Sequence, residues 1–352
     1  MKFSFRWYGN EDPISLENIA QIPNMEGIVS AVYSVPAGEI WPEQAIYSLK
    51  EKIEAQGMIF QVVESVPVHE DIKLGRPTRT KYIQNYQENI RRLAKAGITT
   101  ICYNFMPVFD WTRTDLSYVN KDGSTSLILD TKKIKNLDPF KGDFSLPGWD
   151  ESYSKDQLKD LFDAYQTISE ADLWENLKYF LDQILPIAEE VGIKMAIHPD
   201  DPPYAIFGLP RIITTDAALD KLLALNPSPA NGITFCTGSL GARVDNDIYT
   251  MLEKYLKKGR VYFMHTRNIL LHENNSFEET AHMSKYGSVD MVKVLSLLND
   301  YHYQGYLRPD HGRMIWGESG RPGYGLFDRA LGASYLNGIW ETLQAKGGKK
   351  HG

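Results

Sequence analysis

His198, Cys236, His265 and Asp310 are four side chains able to ligate a metal. Each stands near the end of a short apolar run that reads as a β-strand. They are about 30 to 45 residues apart, close to the length of one strand-plus-helix unit in a (β/α)8 barrel, where ~250 residues carry eight such units. Ligands at the ends of four successive barrel strands converge at the C-terminal mouth, so the spacing predicts a single-metal enzyme site. Taken one at a time, the residues have ordinary explanations. A strand histidine is usually hydrogen-bonded in the core or exposed, and a lone cysteine is usually a small core residue. Their downstream neighbours set them apart. His198 runs into Pro199-Asp200-Asp201-Pro202-Pro203, Cys236 into Thr237-Gly238-Ser239 and His265 into Thr266-Arg267-Asn268, while Asp310 lies in Arg308-Pro309-Asp310-His311-Gly312-Arg313. Each therefore falls where a strand opens into a loop. Two imidazoles, a thiolate and a carboxylate suit a divalent first-row ion better than Ca²⁺ or Mg²⁺. A catalytic ion needs open positions beyond its protein ligands, which favours five- or six-coordinate Mn²⁺ or Fe²⁺ over tetrahedral Zn²⁺.

Arginines gather beside these positions: Arg6 at the end of the first strand, Arg267, Arg308 and Arg313, with Arg321 further on. A surface ion pair is the ordinary account of any one of them. As a set at a barrel mouth they suggest a carboxylate or phosphate ligand, which a guanidinium holds in bidentate fashion; Arg308 and Arg313 are the leading candidates. His69, Asn104 and Glu64 also fall near strand ends and are candidates for binding hydroxyls, although His69 reads equally well as a solvent-facing loop residue. Gly323 and Gly325 flank Tyr324, which allows a tight turn that presents the phenol to a pocket. His311 is a candidate proton carrier at neutral pH, or a hydrogen-bond partner behind a ligand.

The elements that must position these groups can be read along the chain. Short strands rich in β-branched and aromatic residues are expected at about 3–6, 27–35, 59–68, 99–106, 193–198, 232–237, 261–266 and 305–310, several of them following a glycine. Helical patterns fill the gaps: Pro42 to Ala55, Arg79 to Ala96, Trp174 to Val191, Ser288 to Asp300 with Ser288 as N-cap, and Arg329 to Lys346. Alternating strands and helices imply a parallel sheet, and eight strands imply closure into a single barrel domain spanning 1–352. No Gly-x-Gly-x-x-Gly follows the first strand, so a dinucleotide-binding sheet has little support. One segment, about 107–173, breaks the rhythm. Rich in Asp, Lys, Ser, Tyr and Trp, including Trp111 and Trp149, it is expected to form a lid at the active-site face, with a surface excursion or an oligomer contact as the plainer alternative. Residues 347–352 read as a flexible tail.

The chain has 352 residues, a formal charge of −7 and only two cysteines, Cys102 and Cys236. The acidic balance disfavours nucleic acid as a partner. No apolar stretch approaches the ~20 residues that span a bilayer, and the N-terminus lacks a signal-peptide core, so a cytoplasmic, reducing location is expected with no membrane partner. The Trp- and Tyr-rich insertion and the apolar run Tyr335-Leu336, Ile339-Trp340 suggest a homo-oligomer, with a dimer as the first expectation.

Several longer segments, in order, carry a resemblance. Phe5-Arg6-Trp7-Tyr8-Gly9, Glu64-Ser65-Val66-Pro67-Val68-His69, Tyr103-Asn104-Phe105-Met106-Pro107-Val108, His198-Pro199-Asp200-Asp201-Pro202-Pro203, Phe235-Cys236-Thr237-Gly238-Ser239 and Arg308-Pro309-Asp310-His311-Gly312-Arg313 resemble the signature segments of the mannonate dehydratase family of the hexuronate (glucuronate) pathway. The resemblance runs from the first strand to the last helix, with no departure at the four ligand positions. It implies a xylose-isomerase-like barrel, Mn²⁺ or Fe²⁺, a sugar-acid substrate, and dehydration of D-mannonate to 2-keto-3-deoxy-D-gluconate. Loss of the C2 proton and the C3 hydroxyl needs a base and an acid; Tyr324 and His311 are the candidates, with their order open. A sugar isomerase on the same barrel is the nearest alternative, a metal-dependent phosphodiesterase a weaker one, and a catalytically silent sugar-acid-binding protein the alternative from another class.

Overall fold

The computed structural model describes residues 1–136 and 154–347. Trp149 and the tail beyond residue 347 lie outside the described residues. The described strands, in chain order, are β1 (Lys2–Arg6), β2 (Gly27–Ser30), β3 (Ile59–Glu64), β4 (Thr100–Tyr103), β5 (Asp115–Val119), β6 (Thr125–Leu129), β7 (Lys194–Ile197), β8 (Asn231–Cys236), β9 (Val261–Thr266), β10 (Ile269–Leu271), β11 (Phe277–Glu279) and β12 (Tyr306–Pro309). Eight of them, β1, β2, β3, β4, β7, β8, β9 and β12, close into an all-parallel barrel in sequential order. All eight expected barrel strands are present. Those expected at 27–35, 59–68 and 99–106 end sooner, at Ser30, Glu64 and Tyr103, because the chain leaves the barrel wall for its mouth loops there.

Strand side chains alternate between the two faces, and this places the site. Val29, Val62, Cys102, Ala196, Phe263 and Tyr306, one from each of six strands, pack together with Tyr262 as a cluster separate from the main core. This cluster plugs the barrel interior, as the side-chain layers of such barrels do. Two residues further along, on the same inward face, come Glu64, His198, His265 and Arg308. Cys236 follows Thr234, whose hydroxyl bonds to Cys102 Sγ at 3.2 Å. Asp310 follows Arg308 by two. The polar layer thus lies directly on the apolar plug. The outward residues, such as Tyr103 and Ile197, face the helices, and Tyr103 meets Phe180 of the helix Glu170–Val191.

That helix begins with a capping box between Ser169 and Asp172 and ends at Gly192 with φ 76°, so both of its ends are satisfied locally. The helix expected to start at Ser288 starts instead at Met291, capped by Asp290, which accepts from the Val292 and Lys293 amides. Ser288 is taken up by the preceding strand: its amide donates to Ile269 O and its hydroxyl accepts from Leu271 N.

The described part of the 107–173 insertion does more than cover the surface. Its hairpin, β5 and β6, joins the hairpin that follows β9 in a four-stranded antiparallel sheet ordered β10-β11-β6-β5. Thr125 and Met314 exchange both backbone hydrogen bonds, and Trp111 bridges to Asp201. The loops after β4, β7, β9 and β12 are therefore stitched together over the mouth.

Candidate metal and proton-transfer site

His198, Cys236 and His265 offer ligand atoms that all lie within 4.8 Å of one another. Asp310 completes the group, with Oδ2 3.6 Å from Cys236 Sγ and Oδ1 3.7 Å from His265 Nδ1. The hydrogen bonds fix how each donor is presented. His198 Nδ1 lies 2.7 Å from the Pro199 carbonyl, which can only accept, so Nδ1 carries the proton and Nε2 is bare. Burial lowers the His198 pKa and favours the neutral ring. His265 Nε2 has two neighbours, the Arg308 Nε donor at 3.2 Å and the Glu64 Oε2 carboxylate at 3.3 Å. His265 Nδ1 faces His198 Nε2 at 3.1 Å. Two imidazole nitrogens converging at that distance beside a thiol and a carboxylate make a donor set suited to a cation. The carboxylate behind His265 is the arrangement that orients metal-bound histidines. Cys236 Sγ accepts from the Ser239 amide and hydroxyl at 3.4 and 3.2 Å, which fix the direction of the sulfur. The donor set fits one divalent first-row ion.

Arg308 and Arg6 brace the carboxylates of this site. Arg308, fully buried, donates to both oxygens of Glu64 (3.1 and 2.9 Å) and pairs by charge with Asp310 Oδ1 (2.8 Å). Burial pushes the Asp310 pKa up, but Arg308, then His311, His265 and Arg267, outweigh it and hold this carboxyl well below its usual range. Arg6 pairs with Glu64 from the other side and stacks on the Tyr8 ring at 4.8 Å. Burial likewise raises the Glu64 pKa, and Arg308 and Arg6 overcome it, leaving the group a carboxylate.

Beside the ligands, His311 Nε2 lies 2.7 Å from the Tyr324 hydroxyl, and His311 Nδ1 lies 2.8 Å from both oxygens of Glu279. His311 Nε2 is 3.8 Å from Asp310 Oδ1, so the pair adjoins the metal group. Burial, with Tyr8 and Asp310 nearby, pushes the Tyr324 phenol well above its ordinary pKa, so at neutral pH it is a proton donor. Trp111, from the insertion, packs on both rings, at 5.1 Å from His311 and 6.3 Å from Tyr324. Underneath, Arg113 and Arg267 bind Asp201 and Glu279 in a fully buried quartet.

Three expected site residues are engaged elsewhere. His69 caps the short helix Glu70–Lys73, accepts from the Asp71 amide at 3.1 Å and stacks on Tyr82 at 3.6 Å. Asn104 braces its own loop, through Asp110 (2.9 Å) and the Met106 amide (3.2 Å). Arg313 pairs with Asp328 (2.9 Å) and Asp122 (3.0 Å), tying the loop after β12 to the last helix and to the insertion. Reasoning from sequence misses Glu279, Arg113 and the pairing role of Asp201. Glu279 ends a strand of three residues, too short for any alternation to show.

Barrel closure and this donor set place the protein among the metal-dependent enzymes built on (β/α)8 barrels. Residues 1–350 match the family model of D-mannonate dehydratase (UxuA), and the chain belongs to that family. It is 58% identical over 349 residues to a mannonate dehydratase of Streptococcus agalactiae, covering 99% of this chain and 100% of that one. It is 56% identical over 345 residues to mannonate dehydratase 2 of Halalkalibacterium halodurans, covering 98% and 100%. The solved mannonate dehydratase of Streptococcus suis superposes with a TM-score of 0.93 at 52% identity, over 99% of this chain and 96% of that one. The Escherichia coli 3-keto-D-glucoside 4-epimerase, at 13% identity and a TM-score of 0.54 over 96% and 99%, shares the fold alone.

Proposed function

We propose that this protein dehydrates D-mannonate to 2-keto-3-deoxy-D-gluconate at the barrel mouth, in hexuronate catabolism. The observation that carries the reading is the convergence of His198, Cys236, His265 and Asp310 beside the hydrogen-bonded His311–Tyr324 pair. Family membership supports the substrate, an open-chain sugar acid. His198 Nε2, Cys236 Sγ, His265 Nδ1 and an Asp310 oxygen would hold the ion, and the mixed nitrogen, sulfur and oxygen set favours Mn²⁺ or Fe²⁺. When bound, such an ion supplies Lewis-acid charge next to the substrate carboxylate.

The side chains of this chain supply the rest. The C2 proton passes to a base. The C3–O bond breaks with its electron pair on oxygen, which takes a proton and leaves as water. The resulting enol gains a proton at C3 and gives up its C2 hydroxyl proton to a base, leaving the keto acid. His311 and Tyr324 are our candidates for these transfers, because the two are hydrogen-bonded at 2.7 Å and adjoin Asp310 of the metal group. Arg6, at the rim of the Arg308–Glu64 frame, is our candidate for the substrate carboxylate. Arg308 acts through Glu64 and Asp310, which it holds in place. The described part of the insertion serves as a roof that keeps water from the enol through Trp111 and the antiparallel sheet.

The described residues include no helix long and apolar enough to cross a membrane, and a cytoplasmic location belongs to this proposal. So does a homodimer. Leu336 is buried within its own barrel, whereas Phe327 and Leu331 of the same helix are exposed. The test is anaerobic turnover of D-mannonate by metal-stripped protein, with Mn²⁺, Fe²⁺, Zn²⁺ or Mg²⁺ added back. Formation of the 2-keto-3-deoxy acid with Mn²⁺ or Fe²⁺ is the expected result. Stoichiometric metal binding with no product under any ion would replace this reading with that of a binding protein or an isomerase.

A further inference from the structure

We propose that Glu279 is a positioning residue for the His311–Tyr324 pair: its carboxylate keeps the proton of His311 on Nδ1, and so keeps Nε2 a lone-pair acceptor facing the Tyr324 hydroxyl. The inference rests on the dehydratase reading and adds what sets the direction of proton movement in that site.

Two groups compete for His311 Nδ1. Glu279 reaches it with both oxygens at 2.8 Å. Arg267 Nη1 approaches to 3.2 Å. A guanidinium only donates. Were Arg267 to win, Nδ1 would be the acceptor, the proton would move to Nε2, and His311 would donate to Tyr324 instead of accepting from it. The polarity of the pair would reverse. Arg267 Nη2 is taken by Asp201 Oδ2 at 2.7 Å and Ser239 Oγ at 2.9 Å, and Nη1, the nitrogen that faces His311, is shared with two carboxylates, Glu279 Oε1 at 3.5 Å and Asp310 Oδ2 at 3.4 Å. The shorter, charged, two-oxygen contact of Glu279 therefore decides the tautomer.

The fold holds Glu279 to this task. It ends β11, where Ile269↔Glu279 is a register pair with β10 and Phe277↔Leu129 joins the insertion strand β6. Arg113, just before β5, grips its Oε1 together with Asp201. Burial raises the Glu279 pKa, but His311, Arg113 and Arg267 hold it below the ordinary value, so it stays an acceptor. The chemistry balances without another reactant. A proton leaving the Tyr324 oxygen forms the Nε2–H bond, the electron pair stays on the phenolate, and the imidazolium charge is met by the Glu279 carboxylate. The antiparallel sheet thereby becomes part of the proton-transfer machinery.

The experiment compares wild type, Glu279→Gln, Tyr324→Phe and the double variant for steady-state and single-turnover dehydration of D-mannonate, with metal content measured on each. Losing the charge behind a histidine of this kind costs from about 10-fold to about 10⁴-fold. We expect Glu279→Gln to bind metal fully and to lose about 100-fold or more in kcat, with KM within about threefold. In the Tyr324→Phe background the same change should cost nothing further, since a residue acting through the pair cannot harm a pair already broken. Near-normal kcat in Glu279→Gln, or losses that multiply in the double variant, would overturn the proposal. Should Glu279→Gln not fold, ¹⁵N-histidine NMR of the wild-type protein loaded with diamagnetic Zn²⁺ decides, with His311 assigned by its loss in His311→Asn. A proton on Nδ1 supports the proposal and one on Nε2 overturns it. Absence of turnover by wild type with every ion would strike the dehydratase reading alone, because the tautomer measurement needs no substrate.

Discussion

At the scale of single residues, the convergence of His198, Cys236, His265 and Asp310 was legible because histidine and cysteine are rare in this chain and all four stand at strand ends. Their partners were not, because glutamate and arginine are common and their pairing depends on neighbours far away in sequence. Cys236 shows the first case. Replacing its sulfur with a hard oxygen in Cys236→Ser should lower metal affinity by about 10-fold or more and reduce kcat with it. Metal content after dialysis, read beside turnover, checks this; full metal content and full activity would remove Cys236 from the ligand set. Glu64 shows the second case. A carboxylate at a strand end suits a hydroxyl-binding role, yet Glu64 sits behind His265 and between Arg6 and Arg308. Glu64→Gln should therefore weaken metal binding by about 10- to 100-fold, and metal titration of the variant measures it.

At the scale of elements, the barrel strands announced themselves by composition and spacing, and the two-residue alternation from the plug to the polar layer was present in the sequence to be read. The antiparallel sheet was not. Two of its strands have three residues each, and its pairing joins the insertion to a loop more than a hundred residues later. The glycines around Tyr324 do serve a tight turn. Gly323 has φ 81°, and a Cβ there would meet Leu127 Cδ1 of β6 at 2.5 Å and His311 Cγ at 3.7 Å. Gly323→Ala thus adds strained backbone next to Tyr324 and pushes on Leu127 of the sheet, while the contact with His311 is an ordinary one. We expect it to lower kcat by about 10-fold or more with little change in metal content, a split that separates the loop from the ligands. An unchanged kcat would mean that the turn tolerates the methyl and that Tyr324 is set by its hydrogen bond alone.

At the scale of the whole molecule, the mouth is closed by charge as well as by backbone, and this has a pH consequence that belongs to the entire fold. Asp201 is fully buried, bidentate to Arg113 (2.8 and 3.1 Å) and bonded to Arg267 at 2.7 Å. Burial alone would raise its pKa, but the two guanidiniums outweigh burial and hold it far below the ordinary value. A carboxyl depressed in the folded state stabilises the fold above its unfolded pKa, about 3.9. That stabilisation is lost as pH falls below the unfolded value toward the folded one. Below about pH 4 this one group should therefore cost about 1.4 kcal/mol of stability per pH unit. Because the quartet joins the insertion, the β7 loop, the β9 loop and the small sheet, its failure releases the mouth as a unit. Urea midpoints for wild type and Asp201→Asn between pH 6 and pH 3 test this. The variant should be less stable at pH 6, by about 3–5 kcal/mol for a broken buried pair, and should lose less on acidification than wild type does. Parallel acid slopes for the two proteins would mean that Asp201 is already protonated, or already free of its arginines, in the folded state, and the charge clasp over the mouth would have to be abandoned.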